Sequence, residues 1–367
     1  MSIICDPRYL KLQDWIPLDK INWSAFSRNI NAIHILEQNL DKIDWSELSR
    51  NKQAIHILEK HLDKIDWKIL SFNENAVHIL EKHLDKVCWH ELSRNKNAVH
   101  ILEQNLDKVD WKILSLNENA VHILEKHLDK VCWHRLSQNK QATHIFEKHL
   151  DKVSWQMACW NVNAVHILEK HPERIDWYKL SFNKNAIHIL EKHLDKVNWS
   201  ALSQNASATH VLEQNLDKVN WYFLSFNRHA VHILEKHLDK VDWHILCLNI
   251  NATHVLVKHL DKIDWFALSR NKNAVHILEQ CYDGIPWQYL DWSALSRNEN
   301  AINILKQHLD KVDWRAVSYN ENIFEYDYEL MKDTMRRDGG FVEELMANRF
   351  HPDNICKWKG WGFDIGW

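Results

Sequence analysis

The sequence predicts an all-α fold, an α-solenoid of about fourteen 22-residue two-helix repeats with terminal caps, and three observations carry that expectation. Tryptophan returns at Trp23, Trp45, Trp67, Trp89, Trp111, Trp133, Trp155, Trp177, Trp199, Trp221, Trp243, Trp265 and Trp287, always 22 residues apart, and such a period is the mark of a tandem repeat. The unit between tryptophans reads N-x-N-A-[VI]-H-I-L-E-[KQ]-[HN]-L-D-K-[VI]-x-W-x-x-L-S-x, with apolar residues at helical spacing. Residues 1–283 contain no glycine and only Pro7, Pro17 and Pro172. Tight hairpins usually need glycine, so a strand meander is not expected there.

Within the unit, the segment A-V-H-I-L-E-K-H-L places its apolar side chains on one arc and turns the first His, the Glu and the Lys away from it. Either Asn before it can cap a helix start through a side-chain oxygen. The Lys after Leu-Asp sits where a helix end favours a cation. A shorter helix is expected from Trp through Leu-Ser, capped by Asp44, Asp66 and Asp110, whereas Cys88, Cys132 and Ser154 fill that slot in other copies. Both helices are shorter than the ~12–15 residues that isolated helices need in water. Stacking on neighbours must therefore hold each unit, and the indoles of Trp45 through Trp265 are the expected mortar, each large enough to touch two layers. A leucine-rich-repeat-like solenoid is the alternative, because L-D-K-V-D-W has the L-x-x-L-x-L rhythm. The Asn of that repeat's ladder falls on Leu here, at Leu70 and Leu114.

Three segments depart from the unit. Residues 1–22 contain the degenerate half-unit "LQDWIPLDKI" and are read as an N-terminal cap; residues 23–322 form the repeat array. Near 281–292, "EQCYDGIPWQYLDW" shifts the register by five residues before Trp292 and Trp314 resume it. One unit there has lost its long helix on this reading, leaving a kink or packing defect. Residues 323–367, rich in aromatics and Gly, are expected to form two helices capping the last layer. The motif W-x-x-L-S-x-N-x-N-A-I-H-I-L-E-K with D-K-[VI]-[DN]-W, the opening "DWIPLDKINW" and the closing "EELMANRFHPDNICKWKGWGFD" resemble the short tandem-repeat proteins of giant DNA viruses of amoebae. That resemblance implies a location in host cytoplasm or virus particle and no established activity. Relatives often carry Pro after the first Asn, where this chain has Lys52, Glu74, Ile30 or Arg228.

Composition narrows the function. Net charge is −4 with both signs interspersed, so nucleic acid is an unlikely partner. No apolar run approaches the ~20 residues of a membrane span. The start lacks a secretory layout, and seven scattered cysteines fit a reducing, intracellular, soluble setting. No nucleophile–base pair, phosphate loop or cysteine cluster stands out, so no enzyme activity, catalytic residue or cofactor is expected. Twelve histidines recur every 22 residues from His34 to His276. Equivalent residues in layers ~8–10 Å apart are too distant to share a metal, and none is expected. Protonating all 26 histidines would move the charge from −4 to +22 (−4 + 26), and stacked like charges would destabilise the array in acid. His61, His83 and their Asn counterparts Asn39, Asn105 and Asn215 are read as satisfying backbone groups between layers.

The informative slots are the second and fifth residues after each Trp, which vary between copies. Glu47/Arg50 and Glu91/Arg94 are polar there; Ile69/Phe72 and Ile113/Leu116 are apolar. Three residues apart on a helix, each pair shares a face. Met157, Trp160, Phe182, Tyr222, Phe223, Phe226, Ile245 and Leu248 form a candidate apolar patch for a protein partner. The alternative is that they fill core at the helix junction. The expected function is a non-catalytic interaction scaffold, with a structural, self-associating component as the first rival and a nucleic-acid-binding solenoid as the second.

Overall fold

The computed structural model describes residues 9–281, 284 and 287–337. It is an α-solenoid built as expected from pairs of short helices, among them Trp45–Arg50 with Ile55–Lys60 and Trp199–Gln204 with Thr209–Glu213. Among the described residues there are fourteen helices that begin at a Trp and thirteen second helices. Each Trp and the residues that follow it define one layer, so Trp23 opens layer 1, Trp265 layer 12, Trp292 layer 13 and Trp314 layer 14. The second helices are one and a half turns long, shorter than the sequence pattern suggests. They begin after an Ala with no side-chain cap. The Asp caps of the Trp helices are present: Asp66 Oδ1 accepts from the Ile69 amide and Asp110 Oδ1 from Ile113, at 3.1 and 3.0 Å. Cys88, Cys132 and Ser154 make no such bond.

Each layer contributes the same buried set, for example Leu48, Ala54, Ile57, Leu58 and Ile65 in layer 2, and these join into one continuous core. Burying each large aliphatic side chain is worth roughly 1.5–3 kcal/mol. The polar contribution comes from the first Asn of N-x-N. Its oxygen caps the turn that starts there, as expected, for example Asn117 and Asn320, and its amide, buried, works between layers. Asn95 Nδ2 donates to the carbonyls of Ser71 and Asn73 in the preceding layer at 3.1 and 3.2 Å, while its Oδ1 accepts from the Asn97 amide at 3.0 Å. The second Asn bridges too, Asn97 Nδ2 donating to Glu74 O at 3.1 Å. The buried Ser adds a third bond: Ser27 Oγ donates to Trp23 O and accepts from the Asp44 amide of the next layer. An asparagine ladder is therefore present, at a slot other than the one where leucine-rich repeats carry theirs.

The seam tryptophans are half-buried and pack against the core edge. Trp45 lies against the His61 ring (centroids 5.2 Å) with Lys64 Nζ 4.9 Å from its own centroid. Both come from the turn that follows the second helix of the same layer, so the indole covers its own layer's exit turn. The Lys is thus an indole cover rather than a helix-end cation. The Asn counterparts of His61 bond within their own helix, Asn105 Nδ2 donating to Ile101 O at 2.9 Å, and not between layers.

The array closes on itself. Asn29 of layer 1 donates to Ser318 O and Asn320 O of layer 14 at 3.1 and 3.0 Å, Asn31 donates to Glu321 O, and the Asn22 amide donates to Ser318 Oγ. These repeat, bond for bond, the contacts between layers 3 and 4. Lys20 covers Trp314 at 5.1 Å as Lys42 covers Trp23. Among the described residues layer 14 has no second helix. Strand β1 (Leu10–Leu12) and strand β2 (Phe324–Tyr326) pair antiparallel in its place, and Phe324 stacks on Phe26 at 5.8 Å. The two ends, expected to cap opposite faces of an open arc, meet and complete one layer together. Residues 328–337 form a helix; the remainder of the second expected C-terminal helix lies outside the described residues.

Successive Trp helices pack on one another, and successive second helices make no contact as close. The Trp helices therefore line the inner side of the ring. Fourteen layers about 8–10 Å apart give a circumference of roughly 110–140 Å and a diameter of about 35–45 Å along those helices.

Two predictions follow from the ladder and the closure. Asn95→Ala leaves the Ser71 carbonyl and the Asn97 amide without their partner in a buried site, worth about 1–3 kcal/mol for each group left unsatisfied, so its urea midpoint falls well below wild type; the Asn73 carbonyl still accepts from the Ala76 amide. Asn95→Asp falls further, because a carboxylate has no N–H for the carbonyls. A zero-length carbodiimide cross-link between Lys11 and Glu325, whose charged atoms are 3.1 Å apart, forms at protein concentrations too low for intermolecular coupling. Its absence from the mass spectrum would refute closure.

Candidate functional site

Each Trp helix turns its third and fourth following residues, Leu and Ser, into the core, which leaves the first, second and fifth facing the ring interior or the neighbouring layer. The fifth residues form a column of direct contacts. Trp160 stacks on Phe182 of the next layer with centroids 5.2 Å apart and planes 13° off parallel, and Tyr178 meets Phe182 edge-on at 5.4 Å. Gln138 Nε2 reaches Met157 Sδ at 3.0 Å. Tyr222 and Phe223 form an edge pair at 5.3 Å.

The eight residues singled out by sequence divide by environment. Trp160, Tyr222 and Phe226 are exposed by 45%, 52% and 53%. Met157, Phe182, Phe223 and Leu248 are half-buried beside them. Ile245, at 8% exposed, is core, as the junction-filling alternative held. The second slot leans between layers rather than into the opening, which is why the pair does not present both members. The first slot was overlooked although Tyr222 belongs to it; it adds exposed Tyr178 and Phe266. Its signal in the sequence is the same copy-to-copy variation. Apolar side chains are densest in two clusters, in layers 7–8 and 10–12, separated by Ser200, Ala201 and Gln204 of layer 9, while Phe72 and Leu116 stand exposed in the fifth slot of layers 3 and 5.

Arg28, Arg50, Arg94, Arg270 and Arg297 occupy the fifth slot elsewhere. Their charge is offset locally: Glu47 lies 3.8 Å from Arg50 and Asp291 3.1 Å from Arg270. The aspartate caps also border this face. Burial raises the Asp110 carboxyl, but the Ile113 amide and His90 (2.7 Å) outweigh it and hold it below the usual range. Asp264, with Ala267 and His244, is held low in the same way.

On the outer side, the His34-series histidines pair with the preceding layer's glutamate: His56 with Glu37 at 2.9 Å, His78 with Glu59 at 2.8 Å, His210 with Glu191 at 2.7 Å. Protonated, each imidazole faces a carboxylate, so the acid repulsion expected of a bare histidine column is offset. Among the described residues no three potential metal ligands converge. Cys159 and Cys247 replace the buried Ser, Cys159 Sγ accepting from the Asp176 amide at 3.4 Å. Burial pushes both thiols up to about 11, which keeps them protonated at neutral pH. Among the described residues no helix is long and apolar enough to cross a membrane.

The register break is a longer connection rather than a lost helix. The second helix of layer 12, Val275–Gln280, is intact, and an extra turn, Trp287–Tyr289, precedes Trp292. Trp287 stacks on Trp292 at 6.1 Å. The Asp291 amide still reaches Ser269 Oγ, and Asn300 Nδ2 still reaches Lys272 O, each at 2.9 Å. The expected defect is present at one side chain: Asn298 Nδ2 is buried without a partner, where an ordinary step has two bonds.

No protein-family model, curated protein or solved structure matches the chain.

A carboxylate held low in the folded state stabilises above its unfolded pKa, near 4, and that stability is lost as pH falls through the folded value. Asp110→Asn with Asp264→Asn keeps an acceptor in each cap. It should therefore flatten the drop in thermal midpoint below about pH 4 by lowering the midpoint at pH 7 while leaving it close to wild type in strong acid; equal slopes for variant and wild type would contradict the account.

Proposed function

We propose that the chain is a non-catalytic, ring-shaped scaffold that binds a protein segment along the inner face of layers 7–12. One observation carries the reading: the buried slots are nearly constant from layer to layer, whereas the inner slots vary and place Trp160, Tyr178, Tyr222, Phe226 and Phe266 in solvent on one arc. Exposed aromatics grouped this way are costly to leave wet and are the usual anchors of protein interfaces. The fitting partner carries apolar side chains spaced to meet two clusters. Closure weighs against a part built by end-to-end assembly, because layers 1 and 14 already satisfy each other. The inner arginines beside Glu47, Asp291 and the aspartate caps weigh against nucleic acid. Kinship with the giant-virus repeat proteins would place that partner in an infected host cell or a particle.

Panning a random peptide library on the intact chain should enrich peptides rich in aromatic and aliphatic residues. Trp160→Ser and Phe226→Ser should each weaken the selected peptides at least tenfold, which is about 1.4 kcal/mol, while Lys126→Ser on the outer side leaves affinity unchanged. Failure to enrich, or equal binding by all variants, would sink the reading.

A further inference from the structure

The step between layers 12 and 13 differs from the others in a way that points to a ligand. At ordinary steps the buried Asn bonds two carbonyls behind it, as Asn95 does. Here the connection is five residues longer. Asn298, only 8% exposed, is left with an unbonded Nδ2. Asn298 borders a cavity of about 420 Å³ together with Arg270, Lys272, Asp291, Ser293 and Arg297, its Nδ2 buried just behind the cavity wall. Two further cavities follow the same step, one beside Phe266 and Tyr289 and one between Glu279 and Gln307.

The lining has the chemistry of an acceptor-seeking site. Asn298 Nδ2 can only donate, and a buried donor with no acceptor costs about 1–3 kcal/mol. Arg270 and Arg297 enter from the fifth slot of consecutive layers, so both reach the inner mouth. Asp291 holds Arg270 by its Nε edge at 3.1 Å. Arg297 lies over the Tyr319 ring at 5.2 Å and beside Asp313, whose carboxyl burial raises but the Ala316 amide, Ser293, the Arg315 amide and Arg297 together hold low. The two carboxylates position the guanidinium groups, and three cations against two anions leave the cavity with an excess positive charge. Guanidinium and amide donors converging on one space match the oxygens of a carboxylate or phosphate.

We propose that this inner cleft between layers 12 and 13 binds an oxyanion, a phosphate or carboxylate group, between Arg297, Arg270, Lys272 and the Asn298 amide. The site is independent of the aromatic arc and stands whether or not that arc binds protein. Calorimetric titration of the full chain with inorganic phosphate and, separately, with succinate, in low-chloride buffer, tests it. At least one anion binds saturably at one site per chain. Arg297→Gln and Asn298→Ala each weaken it at least tenfold, and Arg94→Gln, the same slot in layer 4, does not. Phosphate binding alone assigns a phosphate-bearing ligand, and succinate binding alone a carboxylate. Circular dichroism checks the fold of each variant; should Asn298→Ala fail to fold, Arg297→Gln against Arg94→Gln carries the comparison. Binding of neither anion, or equal losses in Arg94→Gln and Arg297→Gln, overturns the proposal.

Discussion

The structure depends on one buried amide per layer. A helix of four to six residues has almost no stability of its own, and aliphatic burial alone would let such short elements slide over one another. The Asn side chain removes that freedom. Its two N–H groups hold two carbonyls of the layer behind, and its oxygen holds the amide two residues ahead in its own turn. With the Ser hydroxyl between a helix carbonyl and the next layer's amide, the turns become a ladder of fixed rise. Leu, Ile and Ala fill the space that the ladder defines.

The fold class, the repeat boundaries, the Asp caps and the site of the register break were legible because each rests on a local pattern: a 22-residue period, apolar arcs and a five-residue slip. The interlayer role of the first Asn was not. Its residue type suits a cap, which its oxygen does form, and only the neighbouring layer shows where its amide goes; Asn51 and Asn73 read alike with or without the ladder. Ring closure was illegible for the same reason. Nothing within "LQDWIPLDKI" or "NENIFEY" states that Asn29 will treat Asn320 as its predecessor. Of the inner face, Trp160, Tyr222 and Phe226 were found through variation between copies, while Ile245 was misplaced because the second slot of the Trp helix tilts from the opening toward the next layer as its neighbours grow smaller.

The tryptophans hold a lesser place than their regularity suggests. Half-buried, most are covered by a His and a Lys from the turn after the second helix, as Trp67 is by His83 and Lys86. A cation over an indole contributes about 0.5–1 kcal/mol at exposed sites, less than a buried amide with three partners. The indole seals the edge of the seam and excludes water from the Ser and Asn bonds behind it, whose strength depends on that dryness.

Closure then constrains the number of layers. An open solenoid gains or loses units freely, because each unit touches only its neighbours. In a ring every layer must contribute about 26° of turn, the fourteenth part of a circle, and an added layer would leave Asn29 without Ser318 and Asn320. Duplication, visible in the near-identity of residues 45–88 and 89–132, could build the array only up to the count that closes. The two irregular layers are where that arithmetic was adjusted. Among the described residues layer 14 has the pair of strands Leu10–Leu12 and Phe324–Tyr326 in place of a second helix, and the step into layer 13 gives up both bonds of its ladder amide to a longer connection. A ring that tolerates an unpaired buried amide at a single step, and lines the cavity there with arginines, sets that step apart from its regular ones by the donor left without an acceptor.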